Sequence, residues 1–226
     1  MDAEVDAILV AAEELKRPLV DLRQLALSFV GAGTQDERVR DEMLSVSDRA
    51  IRQVNDLMRL RRLEGAMFEM EPVAVRVAVN EVMRDFYELF TYNRRRVEVK
   101  CNTRMPLVMA NKEMLKSVVY NFLVSATFCK SDTINSRLIV QSSKDKVKIT
   151  VRDYGPALML GTWRKMQSGV MEMPLVASMR PGTSGLSLFI ASRMAQLMNG
   201  RVGAVRHKDG ASFYVELLES RQARLF

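Results

Sequence analysis

Glu13 and Glu14 stand side by side in Ala12-Glu13-Glu14-Leu15-Lys16-Arg17-Pro18-Leu19, two adjacent carboxylates next to a basic pair and a helix-breaking residue. Asn121 and Ser125 place an amide and a hydroxyl four residues apart within a predicted helix over about 111–128. Asp153 ends a predicted strand and runs into Tyr154-Gly155-Pro156-Ala157, where Pro156 stiffens the loop and removes one amide. Gly182 and Gly185 flank the start of another predicted helix, whose free N-terminal amides suit a phosphate. His207 is the only histidine, and Cys101 and Cys129 lie in unrelated contexts without CxxC spacing, so neither a zinc site nor a disulfide framework is supported.

Two kinds of element must position these groups. Val5, Ile8, Ala12, Leu15, Leu19, Leu22, Ala26 and Phe29 recur at alternating spacings of three and four, the seam of a helix that packs against other helices. Gly31 and Gly33 stop it, and Thr34-Gln35-Asp36-Glu37 is a capping box that starts a second helix with Val39, Met43, Val46, Ala50, Leu57 and Leu60 on its seam. Two such helices cannot bury their apolar stripes alone, so two hairpins are expected to pair into a four-helix bundle, making the chain a homodimer. Pro18 inside the first helix removes a hydrogen bond at a cost of roughly 3 kcal/mol, which a purely structural helix would avoid.

The helical pattern ends near residue 66, dividing a hairpin domain over 1–66 from a second domain over 67–226. In the second, a strand begins near Met67, and helices are predicted over about 74–93, 111–128 and 185–198. Strands are predicted over Val97 to Asn102 and near 136–142, 146–153, 201–206 and 211–218. The fold class is α+β, with an α/β sandwich built on a mostly antiparallel sheet. Gly155 to Gly182 reads as a long irregular segment, a lid or disordered loop. It carries Trp163, Arg164, Lys165 and several of the 16 methionines, which either offer an adaptable contact surface or cover a pocket.

The net charge is +7, with basic clusters at Arg59, Arg61 and Arg62 and at Arg94 to Arg96. No nucleic-acid-binding motif accompanies them, so a solvated basic face or an acidic protein partner is expected rather than nucleic acid. No run of about 18 apolar residues is present to span a bilayer, and the acidic start MDAEVDA is unlike a signal peptide. A cytoplasmic protein without a membrane segment is expected.

Taken in order, these stretches resemble the transmitter module of sensor histidine kinases: a dimerisation and histidine-phosphotransfer hairpin followed by an ATP-binding domain of the gyrase and heat-shock ATPase type. EELKRPL resembles the family's phosphoacceptor box, with Glu13 where the phosphorylated histidine stands. Glu14 keeps the acid that serves relatives as general base, while Arg17 lacks the hydroxyl or amide with which they position water. A carboxylate cannot store phosphate as the family's phosphoimidazole, so autokinase activity is expected to be lost. Glu13 either imitates the charged, phosphorylated state or is a solvated glutamate. His207, on a late strand, is read as an ordinary surface residue and not a substitute acceptor.

The family's asparagine box, N-x-x-x-N-A-x-K, resembles Asn121-Phe122-Leu123-Val124-Ser125-Ala126-Thr127-Phe128. Asn121 is kept, Ser125 replaces the magnesium-holding asparagine, and Phe128 replaces the lysine. Asp153 and Gly155 match the box whose aspartate bonds the adenine amino group, with Ala157 in place of its last glycine. Thr183-Ser184-Gly185-Leu186-Ser187-Leu188 resembles the last glycine box, with Gly182 offset by one residue. The resemblance implies a pseudokinase that binds a response-regulator receiver domain or a partner kinase. No cofactor is certain, and any ATP binding is expected to depend weakly or not at all on magnesium. An alternative is ATP binding with transfer in trans to a partner's histidine.

Overall fold

A computed structural model describes residues 19–24, 39–40, 43, 46–47, 50–51, 54, 69–92, 96–102, 105–127, 135–167 and 185–220. The chain divides into two compact units, Met1–Gly65 and Ala66–Phe226. In the first, every described position is helical. Leu19, Val20, Ile51 and Val54 are exposed there, and Val46 is buried. Glu13, Glu14, Arg17, Pro18 and the capping box at 34–37 lie outside the described residues.

The second unit runs β1 (Glu71–Ala74), α1 (Val75–Tyr92), β2 (Val97–Cys101), β3 (Leu107–Ala110), α2 (Lys112–Thr127), β4 (Ser136–Ser143), β5 (Lys146–Asp153), α3 (Leu160–Gln167), α4 (Gly185–Leu197), β6 (Arg201–His207) and β7 (Gly210–Leu218). Five strands form one sheet in the order β2-β4-β5-β7-β6, and β1 pairs with β3 in a second, two-stranded sheet. The large sheet is mixed: β2 runs parallel to β4 and every other pairing is antiparallel.

Strict alternation on β5 puts Val147, Ile149 and Val151 on the buried face, opposite Leu217, Val215 and Phe213 of β7. Helices α2 and α4 pack on one another, α2 against β5 and β7 and α4 against β7 and the outer strand β6. Phe122 of α2 stacks on Phe213 of β7 with ring centroids 6.3 Å apart, and both rings are fully buried. The N-terminus of α2 is capped by Asn111, whose Oδ1 accepts the Met114 amide at 3.1 Å. Lys112 and Lys116 of α2 both reach Glu81 of α1, at 2.8 and 3.3 Å.

The end of α4 is a Schellman motif. Asn199 takes the left-handed conformation at φ 55°, its amide donates to Gln196 O, and the Gly200 amide donates back to Ala195 O at 2.8 Å. A Cβ on Gly200 would lie 2.6 Å from the Glu216 carbonyl oxygen, so glycine is needed where α4 turns into β6.

Two elements differ from the sequence expectation. β3 was not anticipated, and it holds the small sheet to the large one: Val108 bridges Glu219, and the Ser220 amide donates to Leu107 O at 2.7 Å. The segment from Gly155 is not irregular throughout, because α3 occupies Leu160–Gln167. Thr162 and Met166, four residues apart, are both buried, as is Leu158 just before the helix, and they give this short helix its inward face.

Candidate functional site

The site is built around a carboxylate in an apolar series. Asp153 occupies the next inward position on β5 after Val147, Ile149 and Val151, and it is 1% exposed. A buried carboxylate must be hydrogen-bonded to be tolerated. Asp153 Oδ1 accepts the Gly155 amide at 3.2 Å and the Ala211 amide at 3.3 Å. The first of these closes a tight turn onto the carboxylate; the second ties it to β7.

The neighbouring Arg152 clamps the same corner from the other face of β5. Its Nη1 donates to the Asp153 carbonyl and, at 3.4 Å, to the Ala211 carbonyl. Nη2 lies 2.6 Å from Asp209 Oδ1 in the β6–β7 turn, and the guanidinium sits 4.3 Å from the centre of the Tyr154 ring. The Asp209 carboxyl is held below the usual carboxylate range, first by a backbone hydrogen bond and further by Arg152. Gly210 completes the corner at φ 140°, a backbone that side chains rarely adopt, and a Cβ there would overlap the Asp153 carbonyl oxygen and Arg152 Nη1.

His207 pairs with Gly210 across the hairpin, and its Nε2 lies 2.9 Å from Ser212 Oγ. The ring is half-buried, and burial first, then the Arg152 charge, pushes its pKa below the ordinary histidine value. It is therefore not the plain surface residue expected from its place on a late strand.

Asn121 and Ser125 lie one turn apart on α2, exposed by 4% and 2% respectively. Asn121 Nδ2 donates to the Ser117 carbonyl at 3.0 Å and lies 3.4 Å from Ser117 Oγ, so its amide is turned back along its own helix. Gly185 is the first residue of α4, which packs on α2, and Gly182 lies outside the described residues. Asn121 and Ser125 of α2 and Gly185 of α4 thus sit on the two packed helices, and Asp153 and Gly155 at the end of β5, on which α2 packs. Among the described residues no group of three or more His, Cys, Asp or Glu side chains could hold a metal ion. No helix among them is long and apolar enough to cross a membrane.

Trp163 is held in place by its indole Nε1, which donates to the Ala204 carbonyl of β6 at 3.2 Å and docks α3 on the outer strand. Sequence reasoning missed Arg152, Ser117, Ala211 and Gly210. Only Gly210 carried a signal, since Lys208-Asp209-Gly210 between two strands reads as a hairpin turn.

No protein-family model matches the chain. It is 25% identical over 213 residues to the sensor histidine kinase MtrB of Mycobacterium tuberculosis, an alignment covering 91% of this chain and 37% of that protein. MtrB of Mycobacterium leprae is 26% identical over 199 residues, covering 85% of this chain and 35% of its own length. The chain therefore spans little more than a third of these relatives. Among solved structures, full-length ShkA in complex with AMPPNP matches with a TM-score of 0.61 at 21% identity, covering 96% of this chain and 46% of ShkA. The histidine kinase ThkA in complex with the response regulator TrrA matches with a TM-score of 0.64 at 13% identity, covering 93% of this chain and 60% of that one. The Acinetobacter baumannii histidine kinase AdeS matches at 0.63 and 14% identity, over 92% of this chain and 98% of that one. This chain is similar in sequence to sensor histidine kinases and carries the fold of their transmitter module.

Proposed function

We propose that the chain is a degenerate transmitter of two-component signalling, a dimeric module that binds a response-regulator receiver domain or a partner kinase without phosphorylating itself. The observation that carries this reading is the pair on α2. At the family's magnesium position stands Ser125, a short hydroxyl that is 2% exposed, and the neighbouring Asn121 amide is bonded to Ser117. Magnesium demands near-octahedral oxygen coordination and keeps several waters, which a closed site of this kind does not fit. Glutamate at position 13 supports the same conclusion, because the nucleophile is missing as well.

Pairing of two hairpins is supported by Leu19, Val20, Ile51 and Val54, apolar side chains exposed on the helices of a single chain. A receiver domain as partner is supported by ThkA, a neighbour in fold that was solved with a response regulator. Pro18 belongs to the same reading, as the proline that relatives place five residues after their histidine.

A second reading, ATP binding with transfer in trans to a partner's histidine, is favoured by the Asp153 corner, where the carboxylate and its turn are kept. ShkA, solved with AMPPNP, has the same fold. Calorimetric titration of a nonhydrolysable ATP analogue into the protein, with and without magnesium, separates the two. The pseudokinase reading predicts no magnesium-dependent heat. Micromolar binding that requires magnesium would replace it with transfer in trans.

A further inference from the structure

His207, Ser212 and Arg152 lie on three adjacent strands, on the face of the sheet away from the buried series. His207 Nε2 meets Ser212 Oγ at 2.9 Å, Ser212 is cross-strand partner to Arg152, and Arg152 holds Asp209 at 2.6 Å together with the Asp153 and Ala211 carbonyls. The charges acting on the imidazole come from Arg152 and Asp153 of β5 and from Asp209 of the turn. Lys208 adjoins it in the turn, Arg137 of β4 stands opposite Arg152 in register and bonds Glu98 at 2.9 Å, and α3, packed on β6, carries the exposed Arg164.

We propose that this cluster is a proton-sensitive latch on the Asp153 corner. With His207 neutral, Arg152 keeps Asp209 and both carbonyls, and the Ala211 amide stays on the Asp153 carboxylate. A second positive charge on the imidazole repels the guanidinium and competes with it for Asp209. Arg152 then loses the turn that anchors it, and the corner loosens. The account rests on the proposed function only for the identity of any ligand at Asp153, since the latch itself is tested without one.

The sign of the effect follows from burial. A histidine whose folded pKa lies below its unfolded value binds protons more readily when its surroundings open, so the closed corner is fully stable above the unfolded value of about 6.5. Its stability falls as pH drops from there through the folded value. For each unit by which closure depresses the pKa, opening becomes about tenfold more favourable once pH is below both values.

As the chain's single histidine, His207 gives one imidazole resonance to follow by proton NMR. In a pH titration of the full chain, that resonance is expected to titrate below the ordinary histidine value. The backbone amides of Gly155 and Ala211 should shift with the same midpoint. In His207→Gln those amide shifts should disappear from that range, and in Asp209→Asn, at an exposed turn, the imidazole midpoint should move lower. Gly155 and Ala211 amides that stay still while the imidazole titrates, or that move identically in H207Q, would overturn the latch. Either result leaves the nucleotide question untouched.

Discussion

Gly210→Val is expected to destabilise the second unit by about 3 kcal/mol, among the largest effects of any single substitution outside the core. The backbone at Gly210 holds φ 140°, where a β-branched side chain is strained whatever the space. There is also no space: a Cβ would overlap the Asp153 carbonyl oxygen, a backbone atom that cannot swing aside. Relief requires β5 and β7 to part at their ends, which carries the Ala211 amide off the Asp153 carboxylate. Trp163 is the only tryptophan and lies in this unit, so its fluorescence in urea reports the relevant transition. A variant with the wild-type midpoint would mean that the corner is not closed as described.

Asp153→Ala should cost about 2–4 kcal/mol, because it strands one buried and one part-buried amide that each lose a charged acceptor. Both amides, from Gly155 and Ala211, reach the same oxygen, Oδ1. Asp153→Asn keeps an oxygen in that place and gives up only the charge, so it should cost about 1 kcal/mol by the difference between charged and neutral hydrogen bonds. The same fluorescence-monitored urea curves measure both. Equal losses for the two variants would show that the amides are not what the carboxylate is there to satisfy.

Much of the second unit was legible in the sequence because its elements obey one period each. β5 alternates without a break from Val147 to Asp153, and α2 and α4 were found within a residue or two of Lys112–Thr127 and Gly185–Leu197. β3 was not legible: four apolar residues after Pro106 look the same as a strand, a helix start or a buried loop, and its partner β1 lies more than thirty residues back. α3 was hidden by Gly161 and by a polar composition, and only the tertiary burial of Leu158, Thr162 and Met166 makes it a helix. Asp153 stood out because Asp153-Tyr154-Gly155 at the end of a strand resembles the family's first glycine box. Arg152 did not, because an arginine on the opposite face of a strand is what solvent exposure alone would produce. The parallel pairing of β2 with β4 was equally hidden, since register between distant strands leaves no local mark.

Asn121 shows where a motif outruns its chemistry. The residue type is kept, yet its Nδ2 donates to Ser117 one turn back, and Ser117 is not part of any box. On the proposed reading the loss is distributed: Glu13, Ser125 and the replaced glycines of both loops would each remove a different requirement. Restoring one of them is expected to restore no activity.

The central claim, that this fold is kept for binding after phosphotransfer has been lost, is tested most directly by incubating the purified chain with γ-labelled ATP and magnesium and measuring label on the protein. The account predicts none above background, with or without a receiver domain present. Label on the chain alone would contradict it.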